Sequence, residues 1–305
     1  MTGSGIDFIH HVGLIPANAD IDRAIAAFER LGFMFTPLSK MEATVRLDAP
    51  PVYIGLGNRN GIFEEGFLEI VGAPDPDIWA RVPVEKRGPF NIDERLRRYA
   101  GLHIITLGAN EDIEVVRARY LAQSQPVTEV AQLQRKVETP EGERLMQAKV
   151  LFYAQRPDPE AIVSVAQHVT PQYALQPRHM QHANGARRLT EVVICADAPE
   201  EMAAKYARYT GHAFERRDDL HVIDLGRARI IVVDPVGLRR LVPGYALYPT
   251  PFVAAFTVAT PDLQRTRDYL RAQAVAFNEV DGRLVVSPGE GCGSAVLFES
   301  FDRRR

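Results

Sequence analysis

Short apolar runs broken by glycine, proline and asparagine alternate with stretches of helical spacing along this chain. "FIHHVGLI" predicts a strand. "DIDRAIAAFERLGF" predicts a helix after it, with Ile21, Ile25, Phe28 and Leu31 near helical spacing and Gly32 as its stop. "ATVRLD", "VYIGLG", "RNGIFEEG" and "FLEIVG" then read as short strands. A second unit runs through "LHIITLG", the helix "DIEVVRARYLAQ", "VTEVAQLQRKVE", a "TPEGE" turn and "RLMQAKVLFYAQ". A third opens with "LTEVVICA" and the helix "APEEMAAKYARYTGHAF", and a fourth with "FVAAFTVA" and "PDLQRTRDYLRAQAVAF". Strand, helix, several strands, four times over, is an α+β repeat. Residues 74–100, which hold the single Trp79, connect the first two units. A proline-punctuated connector, residues 161–187, divides a domain over 1–160 from one over 188–305.

Three ionisable residues interrupt the strand-like runs of the first half. His11 sits in "FIHHVGLI", His103 in "GLHIITLG" and Glu69 in "GFLEIVG". Burying such groups without partners is costly. Two imidazoles and a carboxylate that converge make a facial metal site with open positions. Each also has a plainer reading, as a satisfied core histidine or a solvent-facing carboxylate. Strand alternation puts His10 on the face opposite His11, and a register shift of one exchanges the two.

Composition narrows the picture. The 305 residues are 46% hydrophobic with a formal net charge of −3, so nothing marks a nucleic-acid partner. The two cysteines, Cys195 and Cys292, make no metal-binding spacing. No apolar run is long enough to span a bilayer. The N-terminus lacks a signal-peptide pattern, which leads to the expectation of a cytoplasmic protein, monomeric or homodimeric, without membrane association.

The opening "IHHVGLIPANADIDRAIAAFERLGF", the stretch "GNRNGIFEEGFLEIVG", the midpoint "QHVTPQYALQPRHMQHANGA" and the repeated unit together resemble the vicinal oxygen chelate superfamily and its glyoxalase-like branch. The resemblance spans nearly the whole chain. It implies four βαβββ modules paired into two cup-shaped domains. It also implies metal ligands on the first and last strands of a module, matching His11, Glu69 and His103 here. The last-strand position of the second unit then falls near Tyr153 or Gln155, neither a carboxylate. In the second half the corresponding positions are Glu191, Ala254 or Ala255, and Glu299, so that half reads as structural or as a cup without metal.

This ligand set implies a divalent metal, Fe2+ first, with Mn2+, Ni2+, Co2+ or Zn2+ as alternatives, and a small oxygen-bearing substrate. The expected activity is that of a dioxygenase. The alternatives are a glyoxalase-type lyase or isomerase, and a metal-free small-molecule binding protein. Asn58 and Arg59 are candidate substrate-binding residues, Arg59 through its planar donors. Tyr153, His168 and His182 are candidate catalytic groups, the hydroxyl as an oxyanion donor and the imidazoles as acid or base. Their alternatives are a packed aromatic and histidines that order a long loop.

Overall fold

The computed structural model describes residues 5–43, 50–153 and 158–301. Four units follow one order. The first is β1 (Ile6–Ile15), the helix Ile21–Arg30, β2 (Ser39–Ala43), β3 (Val52–Ile62) and β4 (Phe67–Gly72). The second is β5 (Gly101–Ala109), the helix Ile113–Ala122, β6 (Ala131–Thr139), β7 (Gly142–Phe152) and β8 (Ile162–His168). The third is β9 (Arg188–Cys195), the helix Pro199–Thr210, β10 (Phe214–Arg217), β11 (Leu220–Asp224) and β12 (Arg229–Val233). The fourth is β13 (Phe252–Thr260), the helix Leu263–Ala272, β14 (Phe277–Val280), β15 (Arg283–Val286) and β16 (Ala295–Ser300).

Helix starts follow local chemistry. Asp20, Asp112 and Asp262 accept from backbone N–H groups of the first turn, and the third helix begins on Pro199 instead. Ile21, Ala24, Ile25 and Phe28 form the buried stripe of the first helix. Each unit then pairs its first strand parallel with its last, across the helix, and adds the remaining strands antiparallel. The first strands meet antiparallel in pairs, β1 with β5 and β9 with β13. They lie at the centre of each eight-stranded half, which is why β5 and β13 are buried along their whole length. Apolar residues of both halves share one core between sheet and helices. Among the described residues no helix is long and apolar enough to cross a membrane.

The last strand of the second unit is not where the sequence placed it. Residues 162–168, assigned above to the midpoint connector, are β8, paired with β5 and β7. Flanking prolines hid a short apolar run interrupted by Ser164. Tyr153 therefore follows β7 rather than lying on a last strand, and Gln155 lies outside the described residues. Residues 74–100 do more than connect. Trp79, Val82 and Ile92 pack with Leu56, Val71, Ile104 and Ile162 and close one end of the N-terminal cup. Trp79 is held there by its indole N–H to Asp93 at 3.0 Å and by Arg87 over its ring.

The C-terminal cup is crossed by charge. Glu191 is buried and bonded to Arg229 (3.1 Å), Arg283 (2.8 Å) and the Thr257 hydroxyl (2.8 Å). Glu299 joins the same two guanidinium groups at 3.2 and 3.1 Å. Both carboxylates thus have cationic partners.

Tyr153 lies at the seam between the halves. It is 1% exposed, stacks on Tyr209, and donates to the Tyr209 carbonyl at 2.6 Å beside the Tyr120 hydroxyl. Tyr153→Phe should lower unfolding free energy by about 1 kcal/mol, seen as a lower urea midpoint, without touching the N-terminal cup. Glu191→Ala should cost about 3–5 kcal/mol, because it leaves two guanidinium groups short of a buried partner. A loss under about 1 kcal/mol in the same denaturation assay would mean that the network is solvated.

Candidate functional site

The register of β1 against β5 decides which side chains meet. Ile9 faces Leu107 and His11 faces Thr106, so His10 is an extra residue with no partner, a β-bulge. Ile9 and Val12, on either side of the histidine pair, are fully buried in the core between sheet and helices. His10 and His11 therefore both turn to the concave face. Their Nδ1 atoms are 2.9 Å apart, and the His10 ring lies 4.5 Å from that of His168. The expected alternation, with His10 on the opposite face, fails because the bulge removes one step of the pleat.

A second bulge sits at the other end of the seam. Gly13 faces Ile104 and Leu14 faces Leu102, which leaves His103 unpaired. By register His103 is thus the counterpart of His10, and Ile104 that of His11. The His103 ring packs on Tyr99, with Nε2 2.9 Å from the Tyr99 carbonyl, under the segment that closes that end of the cup. It is not brought to His11 and Glu69.

Glu69 does meet His11. β4 runs beside β1, with Phe67 opposite His11 and Glu69 opposite Gly13, which puts Glu69 on the histidine face. Its Oε2 is 3.6 Å from His11 Nε2, beyond hydrogen-bond length. Asn58 donates to Glu69 Oε1 at 2.6 Å. Phe67 stacks flat on the His11 ring at 4.5 Å. His11 Nε2 lies 3.0 Å from Thr106 Oγ1, which lies 2.8 Å from Ser164 Oγ. Among the described residues, the buried oxygens of Asn58 and Asn60 have no partner, nor does His10 Nε2. Buried polar atoms of this kind ask for a ligand or water.

The remaining candidates fall elsewhere. Arg59 is on the opposite face of β3 from Asn58, opposite Ile70, and donates to the Thr36 carbonyl at 2.8 Å. The catalytic expectation for His182 is replaced by a structural role: Nδ1 accepts from the Met34 N–H at 2.9 Å and Nε2 donates to the Ile62 carbonyl at 2.7 Å. Both ring nitrogens are engaged by backbone, which leaves none for chemistry. Tyr153, at the seam between the halves, is removed from the cup. His168, the last residue of β8, does face it. Sequence reasoning missed His10, Asn60, Thr106 and Ser164. The doubled histidine was the available signal for the first, and the hydroxyls carried none.

Burial, reinforced by His168, pushes His11 down to about 3. Burial and Arg135 lower His168 to about 4. Burial raises the Glu69 carboxyl to about 7, against the opposing Asn58 hydrogen bond and Arg135. The His11–Glu69 contact near neutrality is therefore a neutral imidazole beside a half-ionised carboxyl, not an ion pair. A cavity of about 290 Å3 opens beside it, lined by Phe8, His10, Phe67, Gln167, His168 and Arg227 among others.

A facial site needs three donors on one side. Among the described residues no three His, Cys, Asp or Glu side chains form such a group. His11 and Glu69 supply two, and His10 and His168 lie beside them on the same face without converging with them on one point; His103 is turned to Tyr99, and the residue opposite His11 is Thr106. These residues do not fit a 2-His-1-Glu centre.

The raised Glu69 carboxyl has a sign. Its folded form keeps a proton that the unfolded chain releases near 4.5, so stability falls as pH rises from about 4.5 to about 7. Glu69→Gln should remove that slope and gain about 1–3 kcal/mol on the parent at about pH 8 relative to about pH 5, read from urea midpoints. Equal slopes in parent and variant would show Glu69 to be ordinarily hydrated.

The sequence profile of the Glyoxalase-like domain family matches residues 9–210. Among solved structures, the fold is similar to a hypothetical protein from Staphylococcus aureus (TM-score 0.63, 12% identity, 96% of this chain and 99% of that one). It is also similar to a mutant of 4-hydroxymandelate synthase from Streptomyces coelicolor (TM-score 0.53, 11% identity, 97% and 92%). A third is the Mn(II)-bound glyoxalase from Novosphingobium aromaticivorans (TM-score 0.50, 13% identity, 98% and 82%). At these identities the likeness is one of fold. No curated protein sequence matches the chain. With the profile covering well over half its length and a repeated βαβββ unit beneath it, the chain belongs to the glyoxalase-like domain family of the vicinal oxygen chelate superfamily.

Proposed function

We propose that this chain is an enzyme that takes a small oxygen-bearing molecule into the N-terminal cup and moves a proton on it, a lyase- or isomerase-type reaction. The observation that carries the reading is the buried His11–Glu69 contact at 3.6 Å, with the carboxyl raised to about 7. A group that titrates near the working pH is suited to give and take a proton. Asn58, donating to Glu69 Oε1 at 2.6 Å, holds that carboxyl in place at the same wall.

The dioxygenase first expected, with Fe2+ or another divalent metal, needs three donors converging on one point, and among the described residues no three His, Cys, Asp or Glu side chains do so. The likeness to a Mn(II)-bound glyoxalase is one of fold. A binding protein of the same fold differs from the enzyme in turnover, not in pocket shape.

Two measurements separate these readings. Protein purified without chelator and without air should hold well under one equivalent of iron, manganese, nickel, cobalt or zinc. A full equivalent that is lost in His11→Ala would replace the proton-transfer reading with the metalloenzyme. In D2O, a panel of small α-hydroxy and α-keto carbonyl compounds should show a member that gains deuterium at the carbon next to its carbonyl. His11→Ala and Glu69→Gln should each slow that exchange by about 100-fold or more. A compound that binds in the cup without exchange would favour the binding protein.

A further inference from the structure

Of the residues in the hydrogen-bonded cluster, His10 is the one that reaches the cavity. It lines that space, whereas His11, Glu69, Asn58, Thr106 and Ser164 do not. Its Nδ1 lies 2.9 Å from His11 Nδ1, and two imidazole nitrogens at that distance share one hydrogen. Its Nε2 is itself buried and has no partner among the described residues.

Behind this contact is a chain of groups that can each donate or accept. His11 Nε2 is 3.0 Å from Thr106 Oγ1, and Thr106 Oγ1 is 2.8 Å from Ser164 Oγ. The chain has two self-consistent settings. In the first, Ser164 donates to Thr106, Thr106 to His11 Nε2, and His11 Nδ1–H to His10 Nδ1, so His10 carries its hydrogen on Nε2. In the second, His10 Nδ1–H donates to His11, His11 Nε2–H to Thr106, and His10 Nε2 is bare.

We infer that His10 is the catalytic residue that meets the substrate, as acid in the first setting and base in the second, with His11 behind it as a positioning residue that sets its tautomer. This rests on the proton-transfer reading of the cup. In the acid direction, the His10 Nε2 proton goes to the ligand and the His11 Nδ1 proton moves to His10 Nδ1. His11 Nε2 takes a proton from the Glu69 carboxyl, which is left as carboxylate, while the Ser164 hydroxyl turns away from Thr106 and the Thr106 hydroxyl turns to Ser164. Each imidazole ends with the number of protons it began with. The base direction reverses every step. The 3.6 Å gap between Glu69 and His11 has to shorten for transfer, as is common for sites without bound substrate. Burial disfavours a lasting charge on the His10 ring, so a proton passes through His10 instead of resting on it.

The test reads tautomers and needs no turnover. Full-length 15N-labelled protein is compared with Ser164→Ala and Thr106→Val by long-range 1H–15N correlation of the imidazole rings, with His10→Gln to assign the His10 signals. Ser164→Ala leaves Thr106 with His11 Nε2 as its acceptor and should put hydrogen on His10 Nε2. At about pH 8, Thr106→Val leaves Glu69, largely ionised there, as the polar neighbour of His11 Nε2 and should put hydrogen on His10 Nδ1. The His10 nitrogen shifts should therefore move in opposite directions in two variants that do not touch His10. Unchanged His10 shifts in both folded variants would overturn the coupling; if Thr106→Val does not fold, Thr106→Ala takes its place. With the compound found in D2O, His10→Gln should slow exchange by about 100-fold. Unchanged exchange in His10→Gln, with exchange still lost in Glu69→Gln, would overturn the role of His10 and leave the proton-transfer reading standing.

Discussion

A single βαβββ unit leaves one edge of its first strand bare, and exposed edges invite pairing. Both halves of this chain meet that constraint by joining two first strands antiparallel, β1 with β5 and β9 with β13. Everything of functional interest lies on or beside these seams. Their strands are the most buried, so a polar side chain on them has to find a partner or serve a ligand. Their registers are also irregular, with an unpaired residue at His10, His103, Thr190 and Ala254. The bulges turn consecutive residues to one face, and this brings two adjacent imidazoles into the N-terminal cup.

The two cups show how one scaffold takes two chemical fates. Glu191 pairs with Arg229 and Thr257 by the same register that pairs His11 with Phe67 and Thr106. In the C-terminal cup the position is charged and its charge is answered by two arginines, beside a cavity of about 100 Å3. In the N-terminal cup it is an imidazole kept neutral by burial, stacked on Phe67, beside a carboxyl with no cation among the described residues in hydrogen-bond reach. A cup crossed by ion pairs is held together from within. One lined with neutral, incompletely partnered groups has reason to accept a ligand.

Much of this was legible in the chain. Hydrophobic periodicity marked the repeated unit and its helices, because helical spacing, capping aspartates and glycine stops are local signals. His11 and Glu69 stood out because an ionisable residue in an apolar run is expensive wherever the run ends up. The resemblance of the opening stretch and of "GFLEIVG" to a known family placed both on strands of one cup. By contrast, β8 was lost in a proline-rich stretch because its Ser164 and short length looked like loop.

What the sequence determined by itself was the set of elements, their repetition, and the presence of ionisable groups that needed partners. The tertiary structure decided which of those groups meet. The face a strand residue takes follows from alternation only while pairing is regular, and a bulge depends on the strand opposite. His10 therefore joined the cup, and His103, similar in local context to His11, went to Tyr99. His182 and Tyr153 were decided the same way, by backbone groups far off in the chain that no local pattern reveals.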